Sequence, residues 1–544
     1  MAETKVAETT IEYLSSQNVR HIFGVLAHTS FELGDAIAKR PQLRFINAQH
    51  EGGAGNMALG YARAAKKPAV CLVSAGGGAT NIVTAVAQAY KESVPLFVIS
   101  SDINTASSSK GAWSSYHGME HVRLFEPITK QSLRLERVEE IGSVLDSLFH
   151  LTTRGRQGPV FLIIPADLQA ASLPEPLTFS QTANPDAPAI DSRSAEMAAD
   201  LLLKATAPVV LVGTGVDWSG AQQEVQELAE LLSLPVAASY TAKGVFPENH
   251  PLALGCLGAG SRPYARKFFL ESDLILALGT TFSEGTTLGF GHRIIPAKAK
   301  IIQIDIDPDE LGRNYPTQLS VQADVKSALR AIIDAVKSKR PSATGAADSR
   351  RAQEIQEAKQ AWQNELSKKI ASEGMTYDFV LKTLNELLTG RETLVTAGMT
   401  GDLLRNIDAA TPIIHAGEFR AIGTAFATSL GVKLGLPERR VVCVTGDGSF
   451  MMEQQELATA RLHNIPVLNI VLHNNTYGGM KRDQLHHYNG RVIGTELFVP
   501  DLARLAELFG AKGYTITRRE EVRTVLQKSL ESDDFVVIDV NVDK

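Results

Sequence analysis

RVVCVTGDGSF, residues 440–450, reads as a buried strand running straight into a polar turn, Gly446-Asp447-Gly448-Ser449. PVLNIVLHNNTYG, residues 466–478, repeats the arrangement, with an apolar run ending in Asn474, Asn475, Thr476, Tyr477 and Gly478. Between them FMMEQQELATARLHN (450–464) reads as a helix, and the 25 residues 449–473 hold one helix and one strand. A strand–helix–strand unit of this length puts both clusters at the carboxyl ends of neighbouring parallel strands, where open α/β sheets hold ligands.

The residue types suit a diphosphate held through a divalent cation. The Asp447 carboxylate and the Asn475 amide oxygen are hard ligands of the kind Mg²⁺ prefers. Gly446 and Gly448 let backbone approach phosphate, and N–H groups opening the next helix can receive the anion. Either cluster alone is an ordinary turn. Their pairing selects the ligand-binding reading.

Outward from this unit the same rhythm fills the chain. FGV, RFINA, PAVCLVS, PLFVIS and PVFLIIP are strands of a first series, PVVLVGTGV, PVAASY, LILALGT and KIIQIDID of a second, and TLVTAG, PIIHAG and DFVVIDVNV complete a third. Polar, Pro-rich sequence at 173–195 and the charged stretch VKSKRPSATGAADSRRAQE read as linkers, the second leading into a helix. The fold class is therefore α/β, three doubly wound parallel-sheet domains over 1–175, 190–340 and 372–544.

Composition excludes several alternatives. Of 544 residues, 54 are Lys or Arg and 60 Asp or Glu, a net charge of −6 that argues against a nucleic-acid surface. Three dispersed cysteines, Cys71, Cys256 and Cys443, make no disulfide framework and read as buried small hydrophobes. No apolar run is long enough for a membrane span, MAETKVAETT lacks a signal-peptide core, and a cytoplasmic location is expected. No 20–50-residue period marks a solenoid.

The pair GDGSF and HNNTYG resembles the metal motif of the thiamine-diphosphate-dependent enzymes related to acetolactate synthase, pyruvate oxidase, benzoylformate decarboxylase and benzaldehyde lyase. The likeness spans all three domains, which it identifies as pyrimidine-binding, middle and diphosphate-binding. It implies that Asp447 and Asn475 by side chain, and Tyr477 by its carbonyl, ligate Mg²⁺, with Gly446, Gly448, Ser449 and Gly478 around the diphosphate. QHEGGAGNMALGYAR (49–63) is similar to the family's glutamate segment, implying that Glu51 bonds N1′ of the aminopyrimidine. In EFRAIG (418–423), Ile422 takes the place of the apolar wedge beneath the cofactor, and the Arg420 carbonyl that of the acceptor for its 4′-amino group. Relatives carry small residues near Arg420, and this arginine could instead project towards substrate.

Two histidines enter as substrate-facing candidates. His28, in GVLAHT (24–29), falls where benzaldehyde lyase has an active-site histidine, and a solvated loop histidine is the plain alternative. His117, in WSSYHGME (113–120, including Trp113), stands where most relatives have glutamine, while AGGGATN (75–81) is similar to the glycine-rich segment of the same pocket. Met480, Gln484, His486 and His487 fall in a stretch resembling the family's substrate-covering region, but adjacent helical residues cannot both face one site. The middle third resembles the sheet that holds FAD or ADP in some relatives, although Gly213-Thr214-Gly215 is an incomplete dinucleotide fingerprint.

The function expected is a thiamine-diphosphate- and Mg²⁺-dependent lyase or carboligase acting on a 2-oxo acid, aldehyde or acyloin, in a homodimer or homotetramer. Acetolactate-synthase-like carboligation or decarboxylation is the first choice. The alternative, prompted by His28, is an acyloin lyase like benzaldehyde lyase or a cyclic-dione-cleaving enzyme. A cofactor-free paralogue and a plain FAD or NAD oxidoreductase are the other classes; Glu51, Asp447 and Asn475 count against the former.

Overall fold

The computed structural model describes residues 4–108, 110–111, 114–175, 177–179, 187–258, 260–340, 349–396, 407, 411–415 and 417–543. Trp113, most of the first linker's centre and residues 341–348 of the second lie outside the described residues.

Three six-stranded sheets follow one another along the chain, and every strand pair in them is parallel. The first comprises β1 His21–Gly24, β2 Arg44–Asn47, β3 Ala69–Val73, β4 Leu96–Asp102, β5 Gln131–Arg134 and β6 Pro159–Pro165. The second comprises β7 Pro208–Val212, β8 Val236–Ala238, β9 Ala253–Cys256, β10 Leu274–Leu278, β11 Lys300–Asp305 and β12 Leu319–Gln322. The third comprises β13 Glu392–Thr396, β14 Ile413–His415, β15 Arg440–Gly446, β16 Leu468–His473, β17 Lys512–Ile516 and β18 Val536–Asn541. β3, β4 and β6 are buried at every position, as strands covered by helices on both faces must be, and this is why they read as unbroken apolar runs.

The first sheet has the order β2-β1-β3-β4-β6-β5 and the third β14-β13-β15-β16-β18-β17, strand for strand the same topology. A shared rhythm was visible in the sequence, but no repeat. The middle sheet, β12-β11-β10-β7-β8-β9, has the doubly wound order of dinucleotide-binding folds, with its switch point between β7 and β10.

Helix Glu51–Ala65 of the first domain packs along helix Ala425–Gly435 of the third, and both are buried almost all round. The approach requires glycine: a Cβ at Gly60 would run into the Thr428 carbonyl, and one at Gly431 into that of Met57. The same seam carries Gln49 N–H to Glu456 at 3.2 Å and Asn47 N–H to His463 Nε2 at 2.9 Å.

Two expectations about helices need correction. The single helix expected over 450–464 is divided into Asp447–Met451 and Glu456–His463. Between them Glu453 turns inward and accepts the N–H groups of Phe426 at 2.7 Å and Ala427 at 2.9 Å, satisfying donors at the start of helix Ala425–Gly435. The second linker also reads too long, because helix Val325–Lys339 takes its first residues and Ser349–Ser372 its last.

Candidate functional site

β15 and β16 are adjacent, with Gly446 opposite Leu472, so Asp447 and Asn474-Asn475 emerge side by side. Asp447 is buried, and its carboxylate ties the two loops together. Oδ2 accepts the backbone N–H of Asn474 at 3.0 Å and of Asn475 at 2.6 Å, while Oδ1 accepts that of Gly448 at 2.8 Å. A carboxylate has about four lone-pair directions, so one is left for a cation. Asn475 holds φ +57°, a left-handed conformation that asparagine tolerates, and its Oδ1 accepts Val499 N–H at 3.2 Å.

Gly448 is glycine for a packing reason as well, since a Cβ there would strike the Tyr477 ring and Leu497. Ser449 Oγ accepts the N–H of Gly423 at 2.8 Å, which brings the segment after β14, with Ile422, against the Asp447 loop. Ile422 is 44% exposed, an apolar side chain presented to the outside of a single chain. The Arg420 backbone has φ +58°, and its guanidinium lies over the Tyr240 ring, 5.8 Å from the centroid, so the side chain is directed at the middle domain. Below the loops, Asp539 accepts from His473 Nδ1 at 2.8 Å and holds that imidazole's pKa above its ordinary value.

A second group lies in the first domain. Glu51 opens helix Glu51–Ala65 after β2, and its Oε2 accepts Asn81 Nδ2 at 2.9 Å. The glycine-rich segment after β3 supplies this partner, and Gly78 lies close enough that a Cβ would sit 3.1 Å from Glu51 Oε1. His117, exposed and with φ +62°, rests on Gly76, whose own φ is +62°. His28 is exposed in the short 3₁₀ turn after β1, with its ring 5.1 Å from that of Phe31.

Because the outer sheets share one topology, the segment after β2 that bears Glu51 is the counterpart of the segment after β14 that bears Ile422, and the loop at Gly76 is the counterpart of the loop at Asp447. Among the described residues no hydrogen bond or ion pair joins the Glu51 group to the Asp447 group. Residue type and spacing mark members of both groups, but they do not mark Asn81 as the partner of Glu51, nor His121, Asp102, His473 or Asp539. His486 and His487 end helix Gly478–His487 with their rings 5.3 Å apart, and Gln484 bonds the backbone of Ile493.

Family models match all three regions: the thiamine pyrophosphate enzyme N-terminal TPP-binding domain at residues 4–122, the central domain at 195–332, and the C-terminal TPP-binding domain at 397–540. The chain belongs to the thiamine pyrophosphate enzymes. Within that family it is similar to a probable acetolactate synthase large subunit of Methanocaldococcus jannaschii, with 31% identity covering 99% of this chain and 92% of the relative. It is also similar to the acetolactate synthase isozyme 3 large subunit of Escherichia coli K12, at 31% identity over 99% and 94%. The Haemophilus influenzae acetolactate synthase large subunit gives 30% over 100% and 95%. The three sheets are the three α/β domains of these thiamine pyrophosphate enzymes.

The oxygen donors that the two loops offer are the Asp447 carboxylate, the Asn475 amide oxygen, which also accepts Val499 N–H, and the Tyr477 carbonyl, which also accepts Lys481 N–H at 2.9 Å. Among the described residues no three His, Cys, Asp or Glu side chains converge on a metal site. Such a set suits a hard cation whose shell is completed by phosphate oxygens. The residues present therefore fit a magnesium diphosphate. No described helix is long and apolar enough to cross a membrane.

Proposed function

We propose that this thiamine pyrophosphate enzyme is a Mg²⁺-dependent, acetolactate-synthase-like carboligase or decarboxylase of small 2-oxo acids. The observation that carries the reading is the Asp447 carboxylate holding Asn474 and Asn475, which makes one cluster of two distant motifs. The names of the relatives support the choice of reaction. The lyase alternative rested on His28, and its exposed position beside Phe31 adds nothing to it.

Asp447 and Asn475, with the Tyr477 carbonyl, would hold Mg²⁺, and Gly446, Gly448, Ser449 and Gly478 would border the diphosphate. Thiamine diphosphate supplies an electron sink for a carbanion next to a carbonyl. Ile422 would set the cofactor's shape and the Arg420 carbonyl its orientation. Glu51 would exchange a proton with the aminopyrimidine ring, with Asn81 fixing its carboxylate by the bond to Oε2. His117, against Gly76, would serve substrate protons, and His28 would do so only if it lines the assembled site.

The site is proposed to be completed by a second copy. Glu51 and Asp447 share no bond within one chain, and apolar Phe419, Ile422, Met452 and Met480 are exposed in or beside the segments that converge on Ser449. A homodimer or homotetramer follows, and a cytoplasmic location belongs to the same proposal. FAD or ADP enters only through the strand order of the middle sheet. Gly213 and Gly215 do not strengthen it, because both are taken up by close contact with Gly279.

Pyruvate, benzoylformate, glyoxylate, formaldehyde and acyloins, each incubated with the holoenzyme and analysed by product mass, test the assignment. Acetolactate or CO₂ release from pyruvate is expected. Turnover of acyloins alone would transfer the assignment to the lyase alternative.

A further inference from the structure

Four residues after His117 lies His121, which is buried and belongs to neither motif. Its Nε2 lies 2.8 Å from the backbone nitrogen of Gly76. An amide N–H can only donate, so Nε2 is the unprotonated nitrogen and the ring proton sits on Nδ1. The ring also bonds the Met119 backbone, and Nδ1 lies 4.0 Å from Asp102 Oδ1, beyond hydrogen-bond reach but close enough for the carboxylate to act on it through space. Asp102 is itself buried, accepting Ile103 N–H at 2.8 Å and Arg134 Nε–H at 3.1 Å.

What this network holds is the segment that touches Glu51. Gly76 is the turn residue from which helix Gly77–Asn81 starts. Two residues on, Gly78 abuts Glu51 Oε1, and Asn81 donates to Glu51 Oε2. His117 lies on the other side of Gly76. A shift of the Gly76 peptide would therefore move the partner of Glu51 and the support of His117 together. Burial lowers the His121 pKa, which keeps the ring neutral and Nε2 an acceptor.

We propose that His121 is a positioning residue: by accepting the Gly76 N–H, with Asp102 and Arg134 behind it, it fixes the 76–81 segment and through Asn81 the carboxylate of Glu51. This rests on the reading of Glu51 as the cofactor-facing carboxyl.

Hydrogen exchange of the peptide spanning residues 75–81, measured on the full chain without cofactor, and steady-state kinetics of the holoenzyme test it. His121→Met keeps the length of the side chain and removes the acceptor. The 75–81 amides should then exchange roughly 10-fold faster or more, the order expected when a buried N–H loses its partner, and kcat should fall with KM little changed. His121→Gln places a carbonyl oxygen near the position of Nε2 and should restore both. Wild-type exchange in His121→Met, or His121→Gln behaving like His121→Met, overturns the proposal. If His121→Met does not fold, His121→Asn, one methylene too short, replaces it: it should show the fast exchange that His121→Gln lacks, and equal exchange in the two overturns the proposal. Glu51→Gln separates the two levels. Full activity in that variant refutes the reading of Glu51, while fast exchange in His121→Met still establishes what His121 holds.

Discussion

Asp447 Oδ2 accepts the backbone N–H of Asn475 at 2.6 Å, so one carboxylate joins the ends of two neighbouring strands whose motifs lie far apart in sequence. The strand ends set this contact, because adjacent parallel strands deliver their carboxyl-terminal loops to the same edge.

Glu51→Gln keeps an acceptor for Asn81 and removes a titratable proton. Turnover should fall about 100-fold or more, within the range attributed to a positioned acid or base, while cofactor affinity changes little. Initial-rate kinetics and calorimetric titration with thiamine diphosphate check the two halves separately.

Gly431→Ala drives a methyl into the Met57 carbonyl across the seam between helices Glu51–Ala65 and Ala425–Gly435. Overpacking of this kind costs roughly 1–3 kcal/mol, and here the obstacle is backbone that cannot change rotamer. Thermal unfolding should show a lower midpoint for Gly431→Ala than for Gly479→Ala, where a Cβ meets nothing within 4 Å.

Glu453 gives a pH prediction. Burial raises its carboxyl from 4.5 to about 8, partly offset by the N–H groups of Ala427 and Phe426. A folded pKa above the unfolded value means that stability from the protonated form is complete below about 4.5 and is lost as pH rises towards 8. Denaturant unfolding should show wild-type stability falling by about 2–5 kcal/mol from this group between pH 5 and pH 9, a fall that Glu453→Gln, which carries no charge but keeps only one of the two acceptor oxygens, should not share.

Ile422→Ala removes the exposed side chain beside Ser449 and leaves the Asp447 cluster intact. It should reduce kcat by roughly 10-fold or more if it shapes the bound cofactor, with unchanged Mg²⁺ dependence. Unaltered kcat would remove Ile422 from the proposed site.

Much of the architecture was legible because buried parallel strands are continuous apolar runs. The strands that escaped, β5, β9, β12 and β17, all lie at or next to nothing but one neighbour, as edges of their sheets. β5 (QSLR), β12 (LSVQ) and β17 (KGYTI) mix exposed with covered positions, and β9 is four residues long with Gly255 at φ +84°. The chemistry of Asp447, Asn475 and Glu51 could be read from type and spacing. The supports could not. Asn81 meets Glu51, and His121 meets Gly76, only because the loops after β2 and β3 and the chain beyond β4 converge in space, and no sequence period connects them.

Calorimetric titration of the wild-type chain and Asp447→Ala with thiamine diphosphate, each with and without Mg²⁺, tests the central claim most directly. Wild type should bind the cofactor only with the cation, and Asp447→Ala should bind it about 100-fold more weakly or not at all, the loss that follows removal of a metal ligand. Equal, cation-independent binding by the two chains, or no binding by wild type, would contradict the account.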